Sequence, residues 1–486
     1  MAETSFDVIV IGAGPAGEVA AGQLAERGRA VALVEPELVG GECSYWACMP
    51  SKALLRAGEL LAEIARVPGV ADDSSACGID AATVLRRRDE VIHELSDDGQ
   101  LPWLEQRGVT LLRGRARLAG ERRVAVEALR GGGAVEGSDG EHVYEAREAV
   151  IVATGSGALI PPIPGLTDAQ PWTNREATTA DAVPATLLVL GGGVVGVELA
   201  QAWASLGARV TLIEAADRLI AREEPFASVQ VAEGLQRRGV ELRIGARAVS
   251  VERDADGGSA GDTAASGARP AGAGGRKTVT LEDGERLSGD ALLVAIGRRP
   301  RTDDLGLETV GLESGRPIEV DERMRVEGAP WLYAIGDVNG RAQLTHMGKY
   351  HARVAVDAIC GGKLRARRDG APAPRVIFTD PAVAAVGHTL ASAQAAGIAA
   401  RAIDRDTSGT AGASFHGRNA PGTTRFVLDT ERELLVGATF VGPEVAELLH
   451  AATVAIVGEV PLATLAHAVP AFPTRSELWL DLAVGS

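Results

Sequence analysis

The spacing of apolar and polar positions predicts a strand, a turn, a helix and a second strand at the start of the chain. Residues 6–12 read FDVIVIG, an apolar run that ends at a glycine. Small and apolar residues with helical spacing follow to about Arg27, and the apolar stretch AVALVE then ends at Glu35. This order makes one βαβ unit, the building block of a parallel α/β sheet.

The same pattern returns in the middle of the chain, where residues 186–217 read TLLVLGGGVVGVELAQAWASLGARVTLIEAAD. Each copy carries the spacing GxGxxG, and in each an acid, Glu35 or Glu214, lies 23 residues after the first glycine. The glycines are Gly12, Gly14, Gly17, Gly191, Gly193 and Gly196. The first glycine permits a tight turn, the second lets a pyrophosphate approach, the third lets helix pack on strand, and the acid accepts a ribose hydroxyl. The pair predicts two dinucleotide sites.

Three further segments run a predicted strand into a glycine: residues 150–157 (VIVATGSG), 292–299 (LLVAIGRR) and 331–340 (WLYAIGDVNG). The last contains Asp337, where an acid at the carboxyl end of a strand can meet a polar ligand. After about residue 368, short apolar strands and the helical stretch AELLHAATVAIVGE predict a separate α+β domain. Two Gly-, Ala- and Ser-rich stretches, residues 131–141 and 254–275, are predicted to be surface insertions.

Composition narrows the classes of function. The formal charge of -16 opposes binding to nucleic acid. No apolar run of about 18 residues is free of charges or glycine clusters, so no membrane span is predicted. The first apolar run is too short for a secretory signal, which predicts a cytoplasmic protein with reduced thiols. Four cysteines in 486 residues are too few for a disulfide scaffold.

Residues 40–52, GGECSYWACMPSK, place Cys43 and Cys48 close together in the sequence. Catalysis, metal binding and packing are the possible interpretations. A zinc site would need further Cys or His nearby, so no metal is predicted. On a regular helix the two residues would face about 140° apart, so a disulfide requires a distorted backbone, which the flanking glycines and proline permit. Cys77 and Cys360 are interpreted as inert thiols.

Together these motifs resemble the FAD-dependent pyridine nucleotide-disulfide oxidoreductases of the glutathione reductase and dihydrolipoamide dehydrogenase type, over nearly the whole chain. GAGPAG with Glu35 resembles the FAD site of that family, and ATG at 153–155 and GD at 336–337 resemble its further FAD contacts. GGGVVGVE with Glu214 resembles the nicotinamide site, and GGECSYWACMPSK occupies the place of the redox-active disulfide. The C-terminal third resembles the dimerisation domain, which implies a homodimer whose active sites are completed across the interface.

The resemblance implies an α/β fold of two Rossmann-like dinucleotide-binding domains, for FAD and NAD(P), plus a C-terminal α+β dimerisation domain. Residues 1–158 and 297–368 are predicted to form the FAD-binding domain. Residues 159–296 are predicted to form the NAD(P)-binding domain, and residues 369–486 the dimerisation domain. No nucleic acid or membrane is expected as a partner.

The resemblance also assigns roles to single residues. Cys48 is predicted to face the flavin and Cys43 to be the interchange thiol. Lys52 and Glu198 are expected to pair beside the flavin, and Glu477 to be a further catalytic residue. The residues predicted to bind the cofactors are Gly12, Gly14, Pro15, Ala16, Gly17, Glu35, Pro36, Gly41, Lys52, Gly114, Ala116, Thr154, Gly155, Gly191, Gly193, Val194, Val195, Gly196, Glu198, Glu214, Gly297, Arg298, Gly336, Asp337, Thr345 and His346.

Glu214 bears on the choice between NADH and NADPH. A carboxylate at this place would bond a ribose diol and repel a 2′-phosphate, so NADH is favoured. Arg218, four residues on, is a group that could instead accommodate the phosphate.

The chain departs from the family pattern on the substrate side. Members of this type carry a His-Pro-Thr-x-Ser-Glu motif near the C-terminus, whose His is the acid/base toward the interchange thiol of the other subunit. Residues 471–479 read AFPTRSELW, so Phe472 stands at the His position. His467 is interpreted as an ordinary residue, with a displaced base as the alternative. Between the cysteines, the usual Asn-Val-Gly is replaced by the bulkier Tyr45, Trp46 and Ala47.

The sequence therefore predicts an FAD-dependent enzyme that passes electrons from NADH through FAD to a Cys43–Cys48 disulfide and on to an unidentified small-molecule acceptor. The alternatives among enzymes are a dihydrolipoamide dehydrogenase with a displaced base and an NAD(P)H quinone or dye reductase. A redox-sensing flavoprotein is the alternative from another class. The chain lacks the extra C-terminal cysteine pair of mercuric reductase and of the larger thioredoxin reductases.

Overall fold

The computed structural model describes residues 4–70, 78–128, 140–254, 275–367, 369–370, 372–418, 420–480 and 482. The chain divides into two compact units. The first unit comprises Met1–Met49, Ile92–Gly157 and Arg298–Ala373, and the second comprises Pro50–Val91, Ala158–Gly297 and Pro374–Ser486. The predicted insertions at 131–141 and 254–275 lie almost entirely outside the described residues, as does Cys77. The domain boundaries taken from the sequence stay a prediction.

The strands, in chain order, are β1 Ser5–Ile11, β2 Val31–Glu35, β3 Thr110–Leu118, β4 Arg123–Ala128, β5 Glu141–Val152, β6 Ser156–Ala158, β7 Thr186–Leu190, β8 Arg209–Glu214, β9 Glu241–Ile244, β10 Ala248–Arg253, β11 Lys277–Leu281, β12 Arg286–Gly289, β13 Ala291–Val294, β14 Arg298–Pro300, β15 Arg325–Val326, β16 Ala329–Ala334, β17 Arg375–Ile377, β18 Ala382–Gly387, β19 Ala400–Asp406, β20 Thr423–Asp429 and β21 Leu434–Gly442.

The α-helices are α1 Pro15–Glu26, α2 Gly41–Tyr45, α3 Cys48–Arg66, α4 Ala81–Val91, α5 Leu101–Gln106, α6 Asn174–Thr179, α7 Val194–Ser205, α8 Pro225–Arg237, α9 Thr345–Ile359, α10 Leu390–Ala395, α11 Val445–Val457 and α12 Leu462–Leu465. Short 3₁₀ helices occur at His93–Leu95, Leu307–Val310, Gly336–Asn339, Gly412–His416 and Arg475–Trp479. Within the described ranges, no helix is both long and apolar enough to cross a membrane.

The first unit is built on one mixed sheet. Strands β3, β2, β1, β5 and β16 run parallel in this order, and β3, β4 and the first part of β5 form an antiparallel meander. Alternate residues of β1 face two different cores, because Val8 and Val10 pack with Ala20 and Ala355 on one side while Ile9 packs with the opposite core. Burial on both faces explains why this strand is a continuous apolar run.

The described residues of the second unit form three sheets. Strands β13, β7, β8 and β9 form a parallel sheet, and β10, β11 and β12 form a small antiparallel one. The antiparallel order of the third sheet is β17, β18, β21, β20 and β19. The strand, turn and helix from β7 to α7 therefore repeat the arrangement from β1 to α1.

The third glycine of each GxGxxG turn is required by close packing of helix on turn. A Cβ atom at Gly17 would lie 1.9 Å from the carbonyl oxygen of Gly12. A Cβ atom at Gly196 would lie 1.8 Å from the carbonyl oxygen of Gly191. No side chain fits at either place, so both helices begin tightly against their preceding strands.

Within the second unit, the parallel sheet and the five-stranded antiparallel sheet share one hydrophobic core. Val197 and Leu212 belong to the same cluster as Ile377 and Val441. Buried ion pairs join the loop before α8 to the antiparallel sheet. Arg375 Nε lies 2.6 Å from Glu223 Oε1 and Arg425 Nη1 lies 2.9 Å from Glu224 Oε2. These contacts unite two segments that are distant in sequence.

Candidate active site

Cys43 and Cys48 lie on either side of a break between two helices. Helix α2 ends at Tyr45 and α3 begins at Cys48, so the backbone leaves the regular helix between them. Both side chains are thiols that are hydrogen-bonded to each other. This hydrogen bond, together with burial, raises the pKa of Cys43 far above its ordinary value. Ionisation of Cys43 is therefore disfavoured.

Thr345, the first residue of α9, contacts both sulfurs. Its Oγ1 lies 3.4 Å from Cys48 Sγ, and its hydrogen bond to Cys43 partly opposes the rise in the pKa of that thiol. The predicted cofactor residue Thr345 therefore lies at the cysteine pair. His346, the next predicted residue, is exposed. Among the described residues, no group of three or more His, Cys, Asp and Glu side chains is arranged to hold a metal ion.

Tyr45 anchors the segment between the cysteines. Its ring is 1% exposed, and its hydroxyl donates to Val39 O at 3.0 Å and lies 3.3 Å from Ser96 O. Burial raises the pKa of Tyr45 to about 12, with smaller effects from neighbouring carboxylates. Trp46 packs against it with ring centroids 5.7 Å apart. Tyr45 thus fixes the loop from inside rather than lining its outer surface.

In the second unit, Lys52 and Glu198 form an ion pair. Lys52 Nζ lies 2.7 Å from Glu198 Oε2 and 4.8 Å from the centre of the Phe378 ring. Glu198 is 3% exposed, and its other oxygen accepts a hydrogen bond from Phe378 N at 2.9 Å. The carboxylate is therefore held in place by backbone and ammonium together, which a buried charge requires.

Glu35 closes the first glycine turn. Its Oε2 accepts a hydrogen bond from Ala13 N at 2.7 Å, and its Oε1 accepts one from Glu37 N at 2.8 Å. Burial raises the pKa of Glu35, and the two N–H groups oppose that change. A Cβ atom at Gly14 would meet no other atom within 4 Å, so the start of α1 is open to a pyrophosphate. These residues fit FAD.

Asp337 belongs to a polar network at the end of β16. Ser156 Oγ donates to Asp337 Oδ2 at 2.5 Å, and Arg298 Nε donates to Ser156 Oγ at 2.7 Å. Arg298 Nε also lies 3.8 Å from Asp337 Oδ2. Thr154 Oγ1 donates to Arg301 O at 2.7 Å. The structure thus brings three predicted cofactor residues, Thr154, Arg298 and Asp337, to the neighbourhood of Ser156.

Glu214 closes the second glycine turn in the same way. Its Oε2 accepts from Gly192 N at 2.5 Å and its Oε1 accepts from Ala216 N at 2.6 Å. A Cβ atom at Gly193 would meet nothing within 4 Å, which leaves the start of α7 as open as that of α1. This turn also fits a dinucleotide.

Arg218 is held within the loop that follows β8. Its Nη1 donates to Glu223 O and to Ser228 Oγ, each at 2.9 Å, and its Nη2 donates to Ala221 O at 2.5 Å. These three bonds occupy the guanidinium on the side of α8. A movement of the guanidinium away from this side would break these bonds.

The C-terminal motif is fixed by backbone contacts. Glu477 Oε2 accepts a hydrogen bond from Gly412 N at 3.0 Å. Phe472 is 77% exposed, and His467 is exposed as well. The predicted catalytic role of Glu477 stays a prediction.

The remaining predicted residues lie in the first turns of helices, next to strands or within β3. Pro15, Ala16, Val194 and Val195 lie in the first turns of α1 and α7, and Pro36 directly follows β2. Gly41 begins α2, where a Cβ atom would lie 2.8 Å from Gly14 Cα. The others are Gly114 and Ala116 on β3, Gly155 before β6, Gly297 before β14 and Gly336 at the start of a 3₁₀ helix.

Several residues that contribute to the candidate site were not predicted from the sequence. Ser156 directly follows the ATG motif, and this position could have marked it as a residue of the site. Phe378 gives its backbone N–H and its ring to the Lys52–Glu198 pair, and no pattern in the sequence marks it. Glu18, whose pKa burial raises to about 7, was also missed, although an acid directly after GxGxxG was visible.

Comparison with known families agrees with this geometry. Residues 6–352 match the family described as pyridine nucleotide-disulphide oxidoreductase, and residues 373–483 match its dimerisation domain. The dihydrolipoyl dehydrogenase of Haloferax volcanii is 32% identical, over 99% of this chain and 96% of that protein. Dihydrolipoyl dehydrogenase 3 of Pseudomonas aeruginosa is 34% identical, over 97% and 96%.

Solved structures show the same fold. The Cu(II) complex of the HOCl-induced flavoprotein disulfide reductase RclA from Escherichia coli has a TM-score of 0.82 at 24% identity, over 100% of this chain and 99% of that one. LpdA from Mycobacterium tuberculosis has a TM-score of 0.81 at 27% identity, over 98% and 99%. The predicted fold class is confirmed, as is the prediction of an FAD-dependent oxidoreductase that binds FAD and NAD(H). The chain belongs to the pyridine nucleotide-disulphide oxidoreductase family.

Proposed function

We propose that this enzyme passes electrons from NADH through FAD to the Cys43–Cys48 pair, and from there to a small-molecule acceptor that needs no base at residue 472. The observation that carries the proposal is the hydrogen-bonded pair of Cys43 and Cys48 at the helix break. When bound, FAD takes up the two electrons of the NADH hydride and makes them available to the disulfide.

The two sulfurs have different tasks in this proposal. Cys48 holds the thiolate, because the pKa of Cys43 is raised by the bond to Cys48 and by burial. A hydroxyl beside a thiolate favours the charged form, which gives Thr345 a role at Cys48. Cys43 stays protonated until a substrate arrives and is then the sulfur that attacks it. The division supports the assignment of Cys48 to the flavin side and Cys43 to the substrate side.

Lys52 and Glu198 are proposed to stand beside the flavin. Glu198 is fixed by Phe378 N, so the Lys52 ammonium is fixed in turn. A positive charge held in a defined place stabilises a neighbouring group that carries extra electron density. Replacing Glu198 with Gln would leave the ammonium less firmly placed.

NADH is proposed to be preferred over NADPH. The Glu214 carboxylate lies at the second glycine turn, where a negative charge opposes a 2′-phosphate. Arg218, the possible phosphate partner, already donates three hydrogen bonds within its own loop. Comparison of kcat/KM for the two nucleotides tests this preference.

The acceptor is constrained by Phe472. A disulfide substrate leaves as a thiolate that needs a proton near neutral pH, and a phenyl ring cannot give one. A quinone or dye can draw its protons from solvent. We therefore infer that quinones and dyes are reduced faster than small disulfides.

The test is steady-state NADH oxidation with lipoamide, glutathione disulfide and a quinone, run side by side. Faster turnover with the quinone, and loss of disulfide turnover in Cys43→Ser, are expected. Efficient reduction of lipoamide by the unmodified enzyme would overturn the inferred acceptor preference. Absence of turnover with every acceptor, from a preparation with full FAD content, would favour a redox-sensing flavoprotein instead.

A dihydrolipoamide dehydrogenase with a displaced base is the second candidate. It is favoured by relatives of that name at 30 to 34% identity over nearly the whole chain. His467 is exposed five residues before Phe472, so its imidazole is accessible. Lipoamide turnover that falls at least tenfold in His467→Gln would support this candidate.

Assembly and location complete the proposal. The matched dimerisation domain supports a homodimer, which sedimentation velocity can test. A cytoplasmic location is proposed because few cysteines and a thiol-dependent site suit a reducing compartment. No role for nucleic acid or membranes is proposed.

A further inference from the structure

Helix α2 is short and carries Cys43 at its centre. It spans the five residues Gly41–Tyr45, and an isolated helix of this length is unstable in water. The chain enters it through two glycines with positive φ, Gly40 at 114° and Gly41 at 57°. Glycines at such positions add conformational freedom that the fold must remove. The position of Cys43 therefore depends on the contacts that hold the two ends of α2.

Different side chains hold the two ends of α2. At the C-terminal end, the buried Tyr45 donates a hydrogen bond from its hydroxyl to Val39 O at 3.0 Å. At the N-terminal end, Glu42 forms an ion pair with Arg301, whose Nη2 lies 2.7 Å from Glu42 Oε1. Glu42 directly precedes Cys43 in the sequence. Arg301 therefore contacts the residue next to this thiol.

Arg301 is itself fixed to the segment that is predicted to contact FAD. It directly follows β14, and its backbone N–H donates to Gly155 O at 2.9 Å. Its backbone oxygen accepts a hydrogen bond from Thr154 Oγ1 at 2.7 Å. All of these residues belong to the first unit, as do Glu42 and Cys43. One residue thus bonds to the predicted FAD-contact segment through its backbone and to α2 through its side chain.

The ion pair between Glu42 and Arg301 is partly shielded from water. The Glu42 side chain is 17% exposed and the Arg301 side chain is 43% exposed. Pairs that are this accessible add little to the overall stability of a protein, so the effect of this one is expected to be local. Arg299, on the same segment, instead pairs with Asp303 at 2.8 Å. It offers a comparison, because the residue type is the same and its partner lies within its own segment.

We propose that Arg301 is a positioning residue for the Cys43–Cys48 pair, because it connects the first turn of α2 to the predicted FAD-contact segment. This role rests on the proposed cycling of the two cysteines between thiols and disulfide. Closing the disulfide forms one S–S bond and releases two electrons and two protons, and two electrons from NADH with two protons open it again. A contact that keeps Cys43 in place lowers the entropy cost of closing the bond, since less freedom remains to be lost. Loss of that contact therefore favours the two thiols.

Arg301→Gln in the holoenzyme tests this role through the midpoint potential of the Cys43–Cys48 pair. The protein is equilibrated anaerobically with oxidised and reduced dithiothreitol, and the free thiols are trapped and measured by mass spectrometry. We expect the equilibrium constant for disulfide formation to fall about three- to fivefold, which raises the potential by about 15 to 20 mV. Arg299→Gln is the matched control and should leave the potential unchanged. An unchanged potential in Arg301→Gln would overturn the role.

Glu42→Gln shows whether Arg301 acts through its ion pair. This variant should raise the potential in the same direction as Arg301→Gln. Once Glu42 has lost its charge, adding Arg301→Gln should shift the potential no further, because the two residues act through one contact. A further shift of equal size in the double variant would show that Arg301 acts elsewhere and would overturn the role. If Arg301→Gln does not retain FAD, Glu42→Gln carries the same test.

The rate at which iodoacetamide alkylates Cys43 in the reduced holoenzyme gives a second readout. The hydrogen bond to Cys48 and burial hold the pKa of Cys43 well above its ordinary value, so a less firmly held α2 should give more thiolate and easier access. We expect the rate to rise about three- to fivefold in Arg301→Gln and to stay unchanged in Arg299→Gln. An unchanged or lower rate in Arg301→Gln would contradict the role. If the parent forms no disulfide between the two cysteines on oxidation, the proposed cycling itself is wrong, which is a separate outcome.

Discussion

Replacing Phe472 with His should restore disulfide reduction. Phe472 is 77% exposed in the single chain, so the substitution removes little packing within that chain and should change the free energy of unfolding of the subunit by less than about 0.5 kcal/mol. A well-placed general acid/base is worth about 10²- to 10⁴-fold in rate. Glu477, which would orient the imidazole, already accepts a hydrogen bond from Gly412 N at 3.0 Å. We therefore expect a gain of about 10- to 100-fold in kcat/KM for lipoamide, at or below the low end of that range.

The assay is anaerobic NADH oxidation with lipoamide and with a quinone, between about pH 6 and 8. The quinone rate should stay within twofold of that of the parent enzyme. The pH dependence of lipoamide turnover should gain an inflection near the ordinary imidazole pKa of about 6.5. Phe415→His is the matched control, because Phe415 is 69% exposed in the same unit. A Phe472→His enzyme with full FAD content and no gain in lipoamide turnover would refute the reasoning.

Three further outcomes are expected. Anaerobic two-electron reduction should give a long-wavelength charge-transfer band between thiolate and flavin. Cys48→Ser should abolish this band, whereas Cys43→Ser should show it in the resting enzyme. If both variants titrate like the parent, the cysteine pair is not part of the electron path. Burial raises the pKa of Glu18 from 4.5 to about 7. The contribution of this carboxyl to stability is therefore fully present below about pH 4.5, and it is lost as the pH rises through 7. Glu18→Gln should therefore gain up to about 3 kcal/mol over the parent by pH 8 in urea unfolding, whereas a pH-independent difference would contradict the raised pKa. Glu214→Ala should raise KM for NADH about tenfold, and an unchanged KM would contradict its ribose role.

The glycine turns could be predicted from the sequence because each is a local structure. The turn, the helix start and the acid lie within one short segment, and spacing alone sets their relation. Glu35 and Glu214 accordingly accept the backbone hydrogen bonds that such turns provide. The break between the cysteines also followed from spacing, since a regular helix separates such residues.

Contacts between distant segments could not be predicted in this way. Phe378 reaches Glu198 through a backbone N–H, which every residue except proline possesses, so its identity carries no signal. Glu18 looked like an ordinary helix residue, because its raised pKa depends on burial by other elements. The direction of Arg218 was equally hidden, since only the folded loop supplies its three acceptors.

The shared core of the second unit has a consequence for how the protein can be divided. Val383 and Val441 of the antiparallel sheet pack in the same cluster as Val197 and Leu212. A fragment that starts near residue 374 would expose this surface to water and lose Glu223 and Glu224, which pair with Arg375 and Arg425. The C-terminal region is therefore not an autonomous module, and exchange of this region between homologues would succeed only when its counterpart surface is exchanged as well.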